Sequence, residues 1–222
     1  MTIIPARGGS KRVPRKNVRP FAGRPMIAWP IRAVRTAHPE GRVVVTTDDA
    51  EIAEAARAAG AETPFVRDAA LADDHSGTTE VVRDAVARLG LGGETPVCCL
   101  YATAAFVRAE DLRAGLAALG DATWVLSMGL YRTPIQRAYR RDGDHVAAID
   151  PAAMPMRSQD LAPAFYDAGQ FYWARAATWL DPAARVWDGA APIVLPDERC
   201  IDIDTPEDWA RAERMAEIVG LD

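Results

Sequence analysis

The stretch Thr2-Ile3-Ile4-Pro5-Ala6-Arg7-Gly8-Gly9-Ser10-Lys11-Arg12, continued by Val13-Pro14-Arg15-Lys16-Asn17, decides how the rest of the chain is read. Thr2 to Pro5 reads as a short first strand that runs straight into a loop rich in glycine and cations. Gly8 and Gly9 lack a Cβ, so their backbone can approach a ligand closely and can adopt positive φ. Successive N–H groups in such a loop can form an anion-binding concavity. Arg7, Lys11, Arg12, Arg15 and Lys16 surround it with positive charge, and arginine grips phosphate through paired bonds. Neither the G-x-x-x-x-G-K-[ST] nor the G-x-G-x-x-G pattern is present, which excludes the two best-known phosphate loops. A solvated basic loop, or one that binds nucleic acid, is the plainer alternative.

Working outward, the charge balance bears on that choice. The 222 residues carry 26 Lys and Arg against 31 Asp and Glu, a formal net charge of -5. The resulting pI of about 5.3 is far from the basic footprint of a nucleic-acid binder. A basic loop on an acidic protein fits a small, highly anionic ligand. The length predicts one domain over 1–222. Apolar runs end well short of the roughly 20 residues that span a bilayer, and the N-terminus reverses the order of a secretory signal. A soluble, cytoplasmic protein with no membrane partner is expected. Cys98 and Cys99 sit side by side in an apolar run and read as small buried hydrophobes; with Cys200 they fit a reducing compartment. His38, His75 and His145 have no zinc-ligand spacing.

Strands and helices alternate through the first half. A helix is expected from about Pro25 towards Ala37, kinked or shortened by Pro30. Arg42 to Thr47 reads as a buried parallel strand, and Asp48 or Asp49 as the cap of a helix ending at Gly60. Further strands are expected at Glu62 to Val66, Val97 to Ala102 and Trp124 to Leu130, with helices over Thr78 to Leu89 and Ala109 to Leu119. This rhythm predicts a three-layer α/β domain. After Leu130 it breaks: Asp142-Gly143 marks a hairpin inside a small excursion over about 131–163. Strands are then expected at Phe165 to Trp173, Pro192 to Leu195 and Arg199 to Ile203. Thr205-Pro206-Glu207-Asp208 opens the last helix.

Asp202-Ile203-Asp204 is the second chemical signal. On a strand, residues two apart share a face, so both carboxylates would face one cleft. Two carboxylates suit Mg²⁺, which keeps waters and substrate phosphates in its remaining positions. Alternatively, Asp204 caps the last helix. Arg67, Leu71, Asp73-Asp74 and Ser76-Gly77-Thr78 form a polar loop feeding a helix N-terminus, a place for an anion or a base edge, or simply a capped helix start.

The run I-P-A-R-G-G-S-K-x-x-x-x-K-N over 4–17 resembles the nucleotide signature of the CMP-nonulosonic acid synthetases, the CMP-sialic acid synthetases among them. The similarity continues to Ile203-Asp204-Thr205-Pro206-Glu207-Asp208-Trp209, covering nearly the whole chain. It implies a Rossmann-like nucleotide-diphospho-sugar transferase fold with a mixed, mostly parallel sheet, and a homodimer made through the excursion. It implies CTP and a nine-carbon acidic sugar as substrates, with Mg²⁺ on Asp202 and Asp204. By the same resemblance Ala6, Arg7, Gly8, Gly9, Ser10, Lys11, Lys16, Asn17, Arg67, Ser76 and Thr78 contact the nucleotide, and Arg7, Lys11 and Lys16 act on its phosphates. Tyr101, Arg157, Gln159, Gln170 and Tyr172 fall on the sugar side, with Arg157 facing a carboxylate.

Two departures refine the resemblance. Tyr101-Ala102-Thr103-Ala104-Ala105 stands where sialic acid enzymes carry Q-P-T-S-P, and Ala168-Gly169 stands where they carry Asn-Gly. With Arg157-Ser158-Gln159-Asp160-Leu161 and Asp167-Ala168-Gly169-Gln170-Phe171-Tyr172-Trp173, the chain is more similar to pseudaminic acid cytidylyltransferases. The alternatives are a legionaminic or N-acetylneuraminic acid enzyme, or a catalytically silent nucleotide-binding regulator. No histidine sits in a matching motif, so the general base is unassigned.

Overall fold

The computed structural model describes every residue except Asp74, His75, Asp121 and Asp222; part of the expected 73–78 loop and one of the three histidines therefore lie outside the described residues. In chain order the elements are β1 (Thr2–Pro5), β2 (Pro20–Phe21), β3 (Arg24–Pro25), α1 (Ala28–Ala37), β4 (Val43–Thr46), α2 (Ala50–Ala58), α3 (Thr78–Arg88), β5 (Pro96–Leu100), α4 (Ala109–Ala118), β6 (Trp124–Leu130), β7 (Tyr139–Asp142), β8 (His145–Ala148), β9 (Phe165–Arg175), α5 (Ala176–Leu180), β10 (Ala190–Val194) and α6 (Pro206–Val219). Six strands form the central sheet in the order β10-β6-β9-β5-β1-β4. β1 is parallel to β4 and β5, and β10 is parallel to β6, while β9 runs antiparallel between β5 and β6.

Strand alternation produces the three layers. Ile4, Val43, Val45, Cys98, Leu100 and Trp173 face one side with residues of α1, α2 and α4. Ile3, Val97, Cys99, Trp124 and Tyr172 face the other with α3 and α5. There Trp124 and Trp179 stack edge to face at 4.7 Å, a pairing that adds about 0.5–1.5 kcal/mol beyond burial. Cys98 and Cys99 are fully buried free thiols, as the sequence predicted.

Three expectations are corrected. The first helix starts at Ala28, because Pro20–Phe21 and Arg24–Pro25 pair as a small hairpin around Ala22 and Gly23, both at positive φ. Pro30 thus falls in the first helical turn, where a missing N–H breaks no bond. Glu62 to Val66 makes only two isolated bridges, Val44 with Glu62 and Thr47 with Val66; Pro64 between them has no N–H to continue a ladder. Arg199 to Ile203 is not a strand: a 3₁₀ turn over Asp197–Arg199 precedes an extended, unpaired segment leading to α6.

Several local signals hold. Asp49 caps α2, its Oδ1 accepting from the N–H groups of Glu51 and Ile52. Thr205 and Asp208 form a capping box on α6. Among the described residues β7 and β8 pair only with each other, turning at Gly143. Among the described residues no helix is long and apolar enough to cross a membrane.

Candidate active site

The carboxyl ends of the parallel strands β1, β4 and β5 open on one side of the sheet, the usual place for a ligand in an open α/β fold. Ala6, at the end of β1, is buried and donates its N–H to Thr46 at 3.0 Å. Beyond it the loop is tied to the end of β4. The Gly8 N–H donates to Asp48 Oδ1 at 3.0 Å, and a Cβ on Gly8 would lie 2.6 Å from Asp49 Oδ2. That close approach, rather than positive φ, is why glycine stands here; neither Gly8 nor Gly9 has positive φ. The Ser10 N–H donates to the Gly8 carbonyl and its hydroxyl to the Val13 carbonyl. Arg15, at positive φ, pairs with Asp49 and Glu51. The loop is therefore braced by β4's acidic doublet, with Lys11 and Arg12 exposed along its crest.

The far end of the loop is pinned by apolar contact. Val13, Phe21, Ile201, Ile203 and Trp209 share one buried cluster, and burying an aliphatic side chain of this size contributes about 1.5–3 kcal/mol. Ile201 and Ile203 point inward while Asp202 and Asp204 point out, so the alternation expected of a strand survives without a strand partner. The packing brings Lys16 Nζ to the Ile203 carbonyl and to Asp204 Oδ1 at 3.2 Å. Arg12 reaches Asp204 Oδ2 at 2.9 Å. Asp204 does not cap α6; its carboxylate faces these two cations. The carboxyl of Asp202 is pushed above the ordinary carboxylate range, by desolvation first and by the Asp204 carboxylate second, with Lys16 opposing. A pair of carboxylates two residues apart beside lysine and arginine could hold a divalent cation, which prefers one or two carboxylates with water and phosphate oxygens in its other positions.

A cavity of about 210 Å³ lies at the other end of the loop, lined by Arg7, Arg67, Leu71, Ser76, Thr78 and Tyr101 among others. Arg7 Nη1 donates to the Asp73 carbonyl at 2.8 Å. Arg67 is buried, with its guanidinium against the Thr46 carbonyl and hydroxyl; desolvation lowers its pKa while Asp48 opposes the shift. Ser76 Oγ donates to Asp73 Oδ1 and the Ala70 carbonyl. Asn17, also buried, donates its side-chain amide to the Arg7 carbonyl at 3.0 Å and so joins the two ends of the loop.

Tyr101 stands at the cavity wall, its hydroxyl 3.2 Å from Thr78 Oγ1 and 3.4 Å from the Tyr172 hydroxyl. Burial pushes the Tyr101 phenol up to about 12. Of the other residues expected on the sugar side, Gln170 is 2% exposed and its Nε2 donates to the Arg199 carbonyl, inside the protein. Arg157 and Gln159 are exposed on the excursion. There the guanidinium lies 3.0 and 3.1 Å from the Gln159 side-chain oxygen, the amide being turned with its oxygen towards Arg157.

Sequence reasoning missed Asp48 as the acceptor for Gly8; the Asp48-Asp49 doublet directly after a buried strand was the available signal. It also missed the buried Arg199–Asp111 ion pair and Ser127, which accepts from the Gln170 and Phe171 N–H groups.

A family model described as cytidylyltransferase matches residues 1–148. The chain belongs to the cytidylyltransferase family. This cytidylyltransferase is 38% identical over 223 residues to the pseudaminic acid cytidylyltransferase of Campylobacter jejuni serotype O:2, covering 98% of this chain and 96% of that protein. It is 30% identical over 227 residues to the CMP-N,N'-diacetyllegionaminic acid synthase of Legionella pneumophila, with the same coverage of 98% and 96%. Among solved structures, CMP:2-keto-3-deoxy-manno-octonic acid synthetase complexed with CTP superposes with a TM-score of 0.68 at 17% identity, over 99% of this chain and 98% of that one. A 4-diphosphocytidyl-2C-methyl-D-erythritol synthase gives 0.66 at 15% identity, over 96% of each chain. These two establish the shared mixed α/β fold.

Proposed function

We propose that this cytidylyltransferase couples CTP to pseudaminic acid, giving the CMP-sugar and pyrophosphate. The observation that carries the reading is the 38% identity to a pseudaminic acid cytidylyltransferase across 98% of the chain. The site supports it: a cationic loop runs from a polar cavity to an acidic pair, and a nucleoside triphosphate needs both ends. The cavity of Arg7, Arg67, Ser76 and Thr78 takes the cytosine and ribose, with Asn17 setting the loop beside it. Gly8, Gly9, Ser10 and Lys11 line the path of the phosphates. The sugar's anomeric hydroxyl attacks the α-phosphorus in line, and pyrophosphate departs.

Positioning and charge neutralisation supply most of the acceleration in such transfers. Arg7, Lys11 and Lys16 hold the triphosphate and the departing pyrophosphate by fixed charge. Asp202 and Asp204 would hold Mg²⁺, which when bound neutralises phosphate charge. Arg157 takes the sugar carboxylate through paired bonds. Tyr139, Val146 and Ile149 leave apolar surface exposed on the excursion, which supports a homodimer formed there. The enzyme works in the cytoplasm, where CTP is available.

The test is a product assay by mass spectrometry, with CTP and Mg²⁺ supplied together with pseudaminic, legionaminic or N-acetylneuraminic acid. A CMP-sugar from pseudaminic acid is the expected result. Product from another acid alone moves the specificity, and no product from any acid with CTP binding intact overturns the reading.

A further inference from the structure

Residues five apart on a regular strand lie about 17 Å apart on opposite faces of the sheet. Asp167 and Tyr172 of β9 are five apart, yet the Tyr172 hydroxyl donates to Asp167 Oδ2. The cause is an irregularity. Between Leu126 and Met128 of β6 the pairing jumps from Tyr172 to Asp167, and Gly169 within the jump adopts φ +62. Asp167 Oδ1 accepts the Gly169 N–H at 2.8 Å, and buried Ser127 accepts the next two N–H groups, closing the bend. A local irregularity that bends a strand often re-aims a side chain beside an active site.

The bend aims the Asp167 carboxylate between the two halves of the site. On one side Tyr172 connects it to Tyr101 and Thr78 at the cavity wall. On the other, a Cβ on Gly169 would lie 3.7–3.9 Å from the Asp202 carboxyl group. Asp167 therefore stands between the nucleoside pocket and the acidic pair, the span that the α-phosphorus must occupy. Its residue is exposed, and its two donors hold the carboxylate in one orientation while leaving lone pairs open. Burial, followed by the neighbouring Tyr101 and Asp167, keeps the Tyr172 phenol protonated and hence a donor.

Resting on the proposed function, we infer that Asp167 is the general base of the transfer, with Tyr172 as its positioning residue. The anomeric O–H bond breaks and its proton passes to Asp167. The oxygen's electron pair forms the new bond to the α-phosphorus, and the bond from that phosphorus to the bridging oxygen breaks as pyrophosphate leaves. The sugar carboxylate is already ionised, so the anomeric hydroxyl is the group that must lose a proton, and a positioned base contributes typically 10²–10⁴-fold.

The test compares wild type, Asp167→Asn, Asp167→Ala and Tyr172→Phe, with CTP, Mg²⁺ and the acid that the wild type uses. Asp167→Asn is expected to lose roughly 10²–10⁴-fold in kcat while Kd for CTP and KM for the sugar stay within about threefold. Added formate is expected to restore part of the Asp167→Ala rate without affecting wild type. Tyr172→Phe is expected to lose on the order of tenfold or more, as the charge-assisted hydrogen bond that orients the Asp167 carboxylate is removed. Asp167→Asn with undiminished kcat overturns the inference. So does a raised sugar KM at full kcat, which would make Asp167 a sugar contact, or an Asp167→Ala enzyme that formate leaves unchanged. Wild type inactive on all three acids would overturn the functional reading instead, whereas active wild type with an unimpaired Asp167→Asn counts against Asp167 alone.

Discussion

Lys16 and Asp204 lie 188 residues apart in sequence and 3.2 Å apart at the site. No strand pairing joins them; the contact exists because Val13, Ile203 and Trp209 are buried in one cluster. Lys16 thereby sits against Asp204, and under the proposed function it would also meet a phosphate. Lys16→Met keeps the stem and removes the charge. We expect it to lower kcat/KM by about 10²–10³-fold, the scale for losing one fixed charge-stabilising donor. A partly exposed ion pair contributes only about 0–1 kcal/mol to stability, so the melting temperature should move little. A loss of activity that merely tracks unfolding would refute the electrostatic role.

Asp202 carries a prediction of opposite sign for stability and activity. Its carboxyl is crowded by Asp204 and partly desolvated, so removing the charge relieves repulsion. Asp202→Asn should melt at or above the wild-type temperature without Mg²⁺. Its turnover should fall on the order of 10²-fold or more, and the stabilisation by Mg²⁺ with CTP seen in thermal-shift titrations should shrink. Asp204→Ala should likewise abolish turnover. Retained turnover together with an undiminished Mg²⁺ response in either variant would remove the metal role from that residue.

What the sequence revealed follows from how local each signal is. The caps at Asp49 and Thr205, the strand Trp124–Leu130 and the turn at Gly143 are each decided by a few neighbouring residues, and each was legible. Arg199 to Ile203 was not, because alternation of Ile201 and Ile203 with Asp202 and Asp204 reports which face is buried and not which backbone groups pair. Gln170 was placed on the sugar side by the family resemblance, whereas its partner is the Arg199 carbonyl, 29 residues away. Asp167 sat in a motif that was noticed, but its orientation depends on a register jump against β6 that no local pattern encodes.

Arg199 and Asp111 form a bidentate ion pair in which each side chain is only 8% exposed. It clamps the turn preceding Asp202 onto the first turn of α4. Asp111→Ala leaves a buried guanidinium without its counter-ion, at a cost of about 3–5 kcal/mol. For a chain of this size that is a drop of roughly 6–20 °C in melting temperature. A double change, Asp111→Leu with Arg199→Met, should recover much of the loss, since apolar replacement of a buried pair is often neutral or better. A single variant that melts with wild type would show that the pair does not hold the turn.

Replacing Arg157 tests whether the two substrates are held by separate residues. Arg157 stands exposed on the excursion and faces Gln159, remote in sequence from the cationic loop over residues 7–16, so its removal should leave nucleotide binding untouched. A charge-assisted bond contributes about 1.5–3 kcal/mol, so Arg157→Ala should raise KM for the acidic sugar roughly 10- to 150-fold while Kd for CTP, by calorimetry, stays unchanged. Arg157→Lys should recover little, because a point charge cannot replace the paired donors that match a carboxylate. Equal weakening of both substrates would place Arg157 on the nucleotide or on the fold. Unchanged kinetics would leave the sugar carboxylate to another cation, and Arg12, paired with Asp204 at 2.9 Å, would be the next to replace.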